Sequence, residues 1–474
     1  TMYGGSIYGN TATGDGGGIW ADRKAVITMY GGEISGNKTT GGEGGGVYIG
    51  INATLEMSGS ASISKNVTTK YSGGGVCAVL GKIKMSDKSS ISNNTASDNS
   101  GGGVFLSGYK CTLTMSDNAK IAENKAGSLG AGVYMYGDEA QFTMDGGSIY
   151  GNEFTKTGDR SGGGVYIGEG TFTMNSGSIY NNKAPTNGGG VCSNGMFNMN
   201  GGNIYGNTAT NGGGVYIYGS TKSFTMNNGN IYGNTATQNG GGVYISNGTF
   251  TMTKGTIGAV TLNRVNYDGN SAKNGGGVYI NDGTFTMGTG ESQTPNIYSN
   301  TASGQGGGVY VRSGQGTHFQ IFNSVQVWNN GNSDVYLNDD QTIQIIGKLV
   351  GDKTIGVTPS SLPTTNPITF ADGKGYTLTD DDAAPFFVNN HYGDNMYSIQ
   401  LEGNHLKLYL GQPHKHTVCV GTDCTDSTHT NAFFSALSYG YNDLAGKNVL
   451  SYNGNIVTSS SGLYAIYSNA GNLY

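Results

Sequence analysis

The stretch FTMNNGNIYGNTATQNGGGVYI, Phe224 to Ile245, decides the architecture. It holds three short pieces in which apolar and polar residues alternate: Phe224-Thr225-Met226, the piece centred on Ile231, and Val243-Tyr244-Ile245. Alternation with period two marks strands with one buried face. Glycine and asparagine separate the pieces, and none is long enough for a helix. The stretch then recurs. Gly-Gly-Gly followed by Val or Ile starts at Gly16, Gly44, Gly73, Gly101, Gly162, Gly188, Gly212, Gly240, Gly275 and Gly306. With the variant Gly130-Ala131-Gly132 included, the copies lie 24 to 35 residues apart. Self-similarity at such a period means one supersecondary unit stacked on copies of itself.

The constant phase of each piece selects a coil over a meander of hairpins. In a coil every strand pairs with its counterpart one repeat later, so the sheets are parallel. Phe172, Met174, Ile179, Val165 and Ile167 then point inward, and Thr173, Tyr180 and Tyr166 point outward. A single turn buries too little apolar surface to offset the ordering of its own chain, so stability must come from stacking on both neighbours. An asparagine closes each apolar-x-x-Asn element, from Asn10, Asn37 and Asn66 through Asn207 and Asn234 to Asn330. Asparagine tolerates the left-handed conformation of a sharp corner, and stacked amides can hydrogen-bond as a ladder. The glycines take the other corner, where a Cβ would not fit.

Composition narrows the class further. Gly and Pro make up 93 of 474 residues, which without a period would suggest disorder. Charged residues are 12% and the net charge is −6, with no basic stripe, which argues against nucleic acid. No run of 18 apolar residues suggests direct membrane insertion of this segment. Five cysteines are too few for a disulfide framework. Cys77, Cys111 and Cys192 read as small apolar side chains tolerated within the repeat. Thr1-Met2-Tyr3-Gly4 already reads as the middle of a repeat, as in a piece of a longer chain.

The pairing of apolar-x-x-Asn with Gly-Gly-small-aliphatic resembles the repeats of the chlamydial polymorphic membrane proteins, which use Phe-x-x-Asn and Gly-Gly-Ala-Ile or similar. Here Ile-x-x-Asn and Gly-Gly-Gly-Val stand in their place, over about residues 1–350. The resemblance implies the right-handed β-helix of bacterial surface proteins, and an extracellular, adhesin-like protein on a bacterial cell surface. It does not extend to their transport mechanism, since no outer-membrane barrel segment is visible. The expected fold is all-β: a right-handed parallel β-helix (solenoid) of about twelve rungs, a C-terminal β cap and a small additional segment. Residues 1–350 are the repeats, 351–411 the capping β region that covers the open edge. Residues 412–430 are a His/Cys linker or clip, and 431–474 the start of a further module.

Two constellations bear on function. The column after the glycines includes Trp20, Tyr48, Tyr134, Tyr166, Tyr216, Tyr244, Tyr279 and Tyr310, interrupted by Cys77, Phe105 and Cys192. Tyr8, Tyr150, Tyr180, Tyr205, Tyr232 and Tyr298 form a second, partial column. Tyrosine has an apolar face and a polar tip, so an outward strip suits glycans or proteins. The same column can instead stack on itself and only stabilise the sheet. The other constellation is His414, His416, Cys419, Cys424 and His429, which offers the N and S ligands of a structural zinc site, or a local Cys419–Cys424 disulfide. Asp339-Asp340 and Asp380-Asp381-Asp382 are acidic but lack the ligand spacing of a known Ca²⁺ loop.

The functional expectation is a non-enzymatic secreted or cell-surface adhesin or stalk that binds host or microbial glycans or surface proteins through the aromatic strip. One alternative is a carbohydrate-active enzyme of the polysaccharide lyase or hydrolase type. It would use the charged irregular rungs with Arg264, Asp268, Asp282, Glu291, Arg312 and His318. The other is a purely structural spacer.

Overall fold

The computed structural model describes residues 1–290, 294–389 and 397–410, and the backbone of one further hairpin, Leu450–Tyr452 with Asn455–Val457. The first three segments form a right-handed parallel β-helix of about fourteen turns. One turn shows the design. Ser223–Met226 leads to Asn230–Tyr232, then to Thr235–Asn239, then past the glycines to Val243–Ile245. Each strand pairs in parallel with its successor: Phe224 with Phe250, Ile231 with Ile257, Thr235 with Ser271 and Val243 with Val278.

Most turns thus have a fourth short strand where alternation predicts three. The short segments after the asparagines, such as Thr11–Ala12, Lys38–Thr39 and Lys125–Ala126, form a six-stranded sheet up to Glu153–Phe154 and a four-stranded one from Thr208–Asn211 to Thr301–Ala302. Two residues are too few to show alternation. The gap between these sheets falls where Pro185, which has no N–H to donate, follows the isolated bridge Lys183–Thr208.

The inward phase holds throughout. Val165, Ile167, Phe172, Met174 and Ile179 are all fully buried. Phe142, Phe172, Phe197, Phe224, Phe250, Phe285 and Phe319 form one internal stack, with ring centroids 4.5–5.2 Å apart. Such offset stacking adds to the area that the rings bury.

The two polar corners differ from each other. At the glycine corner, Gly188 has φ +63, and a Cβ on Gly190 would lie 2.7 Å from the Gly214 carbonyl of the next turn. At the other corner the ladder asparagine is not the left-handed residue. That conformation belongs to its predecessor: Gly36, Lys65, Asn93, Glu123, Gly206 or Ser299, at φ 55–64. The asparagine instead turns its side chain inward. Asn207 Nδ2 donates to Asn234 Oδ1 at 2.9 Å and to the Ile179 carbonyl at 3.0 Å. Its Oδ1 accepts from the N–H and Nδ2 of Asn182, both at 3.0 Å. The amide's hydrogen-bonding capacity is therefore filled. The ladder runs from Asn10 to Asn330 and ends on a carboxylate. Asn330 donates its N–H and Nδ2 to Asp334 Oδ1 at 2.7 and 2.9 Å, and Asn389 Nδ2 donates to Asp334 Oδ2 at 2.7 Å. One N–H of each ladder amide points to the next asparagine along the row, so the last amide needs an acceptor, which Asp334 supplies. Burial raises the Asp334 carboxyl above its ordinary value, against the hydrogen bonds from Asn389 and Asn330.

The coil continues past the last glycine triplet, which is why it has more turns than the expected twelve. Val335–Leu337 and Ile355–Pro359 extend it without a glycine triplet. Ile355–Pro359 joins two columns, pairing with both Gln326–Trp328 and Val335–Leu337, so the polar corner between them closes up. Phe386–Val388 adds one more parallel strand. His405–Leu410 then pairs antiparallel with Ile368–Gly373 and with Tyr397–Glu402. Leu406, Leu408, Phe370 and Phe386 bury themselves across this end. Asp382 holds the cap in place: its oxygens accept from the N–H groups of Leu349 and Thr379, at 2.9 and 2.8 Å.

Candidate functional site

From Tyr216 on, the outward residue of each strand after the glycines stacks on the next. Tyr216, Tyr244, Tyr279, Tyr310 and Tyr336 form a continuous pile with centroids 4.8–5.1 Å apart. Trp20 lies parallel to Tyr48 at 6.5 Å, and Tyr134 meets Tyr166 edge-on at 5.3 Å. Strand spacing imposes this distance, and ring stacking suits it. In consequence the strip is not a row of open faces. Trp20 is 58% exposed, but Tyr166 and Tyr279 are only 8% exposed. Tyr48, Tyr134, Tyr216, Tyr244 and Tyr310 are half-buried and show edges and hydroxyls. Burial first, then nearby acidic groups, pushes the Tyr48 hydroxyl up to about 12.

The two cysteines in the column are plugs rather than contacts. Cys77 is fully buried, and its thiol donates to Glu43 Oε2 at 3.1 Å. Burial, with the Glu43 charge, pushes that thiol well up and keeps it neutral. Cys192 leaves room for a ring, and Tyr218 supplies it from the following corner. Tyr218 hydrogen-bonds through its hydroxyl to that of Tyr166, with ring centroids 6.5 Å from Tyr166 and 6.0 Å from Tyr216. Cys77, Cys111 and Cys192 are free and buried, as small apolar residues would be.

The second column behaves the same way. Tyr150, Tyr180, Tyr205 and Tyr232 stack at 4.9–5.0 Å with rings within 9° of parallel. Tyr267 tilts onto Tyr232 at 5.1 Å and leaves it 3% exposed. Tyr267 comes from a hairpin, Val260–Leu262 with Val265–Tyr267, inserted at the corner before Asn270. Tyr8 is 73% exposed, and Tyr298 stacks on Trp328 at 6.1 Å. Tyr218, Tyr267, Trp328 and Tyr336 belong to neither column as read from sequence. For Tyr336 the signal exists, since Val335-Tyr336-Leu337 keeps the phase after the glycines have gone. For Tyr218 and Tyr267 there is none, because both reach their column from a neighbouring corner.

The charged residues of the irregular rungs are divided between two corners. Arg264 sits at the turn of the inserted hairpin, with Asp268 just after it. Asp282 and Arg312 follow Val278–Ile280 and Val309–Val311, at the corner that leads back to the Phe row. There Arg312 Nη1 donates to Asn281 Oδ1 at 2.8 Å, and His318 Nδ1 lies 3.3 Å from Gln344 Nε2. Glu291 and the proposed zinc ligands His414, His416, Cys419, Cys424 and His429 lie outside the described residues. Among the described residues no three His, Cys, Asp or Glu side chains come together as a metal site. Among them, too, no helix is long and apolar enough to cross a membrane.

Residues 3–172 match the family model described as right handed beta helix region. No curated protein matches the chain.

Proposed function

We propose that the chain is a non-enzymatic, adhesin-like stalk displayed outside a bacterial cell, which binds glycans or surface proteins along its outward tyrosine rows. One observation carries this reading. Two tyrosine rows follow the axis for several turns, each ring held by its neighbour, so hydroxyl and ring-edge groups recur at a fixed interval of 4.8–5.1 Å. A rigid, periodic row suits a polymeric or extended partner, because little freedom is lost on binding. The division of Arg264 and Arg312 between different corners speaks for binding over catalysis.

Face-to-face stacking also favours a second reading, a rod that only spaces other parts of a longer protein. A glycan and surface-protein array separates the two. Wild-type protein should bind, and a Tyr216→Ala/Tyr244→Ala/Tyr279→Ala variant that retains its β-sheet spectrum should lose at least about tenfold in affinity. Undiminished binding by the variant excludes the column, and no binding by either protein favours the spacer.

A further inference from the structure

The rings of the pile cover one another, so a flat ligand can stack on it only where it ends. Tyr336 is that place at the C-terminal end. One face lies on Tyr310 at 5.1 Å, while the in-register residue on the other side is Thr358, which has no ring. Just past it, where the coil meets the cap, opens a cleft of about 520 Å³ whose lining begins at the next residue, Leu337. That lies within the range of roughly 300–1,000 Å³ usual for small-molecule sites. Its walls carry Asp339, Asp340, Gln341, Ser360 and Thr369, with Ile368 as an apolar contact. Asp339 is oriented by Ser360, whose hydroxyl donates to it, and its charge, after burial, raises the Tyr336 hydroxyl. Tyr310 lies with its hydroxyl 3.5 Å from Asn338 Nδ2, so the polar tips of the pile border the same corner.

We propose that this end of the solenoid is a binding site for one residue of a neutral glycan. The apolar face of the sugar ring lies on Tyr336, and its hydroxyls donate to Asp339, Asp340 and the Oε1 of Gln341, whose Nε2 is held by the carbonyls of Gly314 and Asp340. Vicinal hydroxyls suit paired carboxylate acceptors, and two carboxylates disfavour acidic sugars. The proposal deepens the stalk reading, on which it rests, by adding a specific contact at the end of the column to those along its length.

The test uses the full chain on an array of neutral and acidic oligosaccharides, followed by titration of each oligosaccharide bound. Neutral glycans should bind. Asp340→Asn/Gln341→Ala, both at exposed or partly exposed positions, should weaken them by about tenfold or more. Tyr336→Ala should do the same, and Tyr336→Phe should retain most of the affinity. Lys84→Ala, in an exposed ion pair away from the rows and the cleft, should bind as wild type. Glycan binding that ignores the cleft variants but falls with Tyr216→Ala/Tyr244→Ala overturns the end site and leaves the stalk reading intact. A preference for acidic glycans, or binding of proteins alone, also overturns it. If no array member binds, the end site and the glycan reading both fall.

Discussion

The turns before Gly137 and those from Phe142 to Tyr336 share one backbone and differ in their rows. In the first region the inner position holds Ile27, Leu55, Ile83 and Leu113, and the outer one Ser35, Ser64, Ser92 and Ala122. In the second, phenylalanine fills the inner position from Phe142 to Phe319 and tyrosine the outer one from Tyr150 to Tyr232. The first region's outer face carries the ion pair Lys84–Glu56 at 2.9 Å, and a second pair, Lys125–Glu153 at 2.9 Å, joins it to the next region. The asparagine ladder passes through both regions, and the glycine corner recurs in both up to Gly308. The coil is thus set by amides and glycines, and the rows are exchangeable fillings. Aromatic rows add ring stacking inside and out, whereas exposed ion pairs add little.

The largest effect should come from what the regions share. Asn207→Ala leaves the N–H of Asn182, the Ile179 carbonyl and the side chains of Asn182 and Asn234 without their partner, and each such group costs about 1–3 kcal/mol. We expect a loss of at least about 3 kcal/mol in urea unfolding. Asn94→Ala should lose as much, since its bonds are the same. A clear difference between them would make the ladder regional and break the comparison. Exchanging the fillings comes next. Leu113→Phe should cost about 1–3 kcal/mol by overpacking a row built for aliphatic side chains. Phe224→Leu should cost about as much through lost volume and two lost ring contacts.

Asp334 sharpens the comparison at the ladder's end. Burial raises its native value, so folding favours the protonated form. Its contribution is most favourable below the unfolded carboxylate value of about 3.9 and is lost as pH rises through the raised native value. Asp334→Asn should remove that part of the pH dependence between those two values, read as the difference between the two proteins' unfolding midpoints. An identical pH profile would contradict the assignment. On the outer faces, Tyr205→Ala should cost about 1 kcal/mol, since two stacked partners lose a ring. Lys84→Ala should cost below about 0.5 kcal/mol and less still at high salt.

Most of the coil is legible in the sequence because its periodicity is one-dimensional. Phe172 and Val165 point inward at the phase that alternation assigns. The fourth strand is not legible, since most of its copies are two residues long and carry no alternation. Sequence places the left-handed corner one residue too late, because asparagine fits both that conformation and the ladder, and only the ladder needs it. Turns beyond Val309 escape a count that follows glycines. The site is less legible than the fold. Alternation places Tyr216 and Tyr244 outward but says nothing of their covering one another. Nor does it show Tyr218 reaching over Cys192, or the cleft between Asp340 and Thr369, which arise between turns.

The central claim is that like residues lie directly over one another along the axis. Spin labels at Thr114 and Thr286, in a Cys419→Ser/Cys424→Ser background, test it most directly. The register Thr114–Thr143–Thr173–Asn198–Thr225–Thr251–Thr286 places six steps between them. At about 4.8 Å per step, double electron–electron resonance should give a distance near 29 Å, growing linearly as the first label moves from Thr114 to Lys84 and then to Thr28. A distance that fails to grow with the number of turns, as folded-back hairpins would produce, contradicts the account.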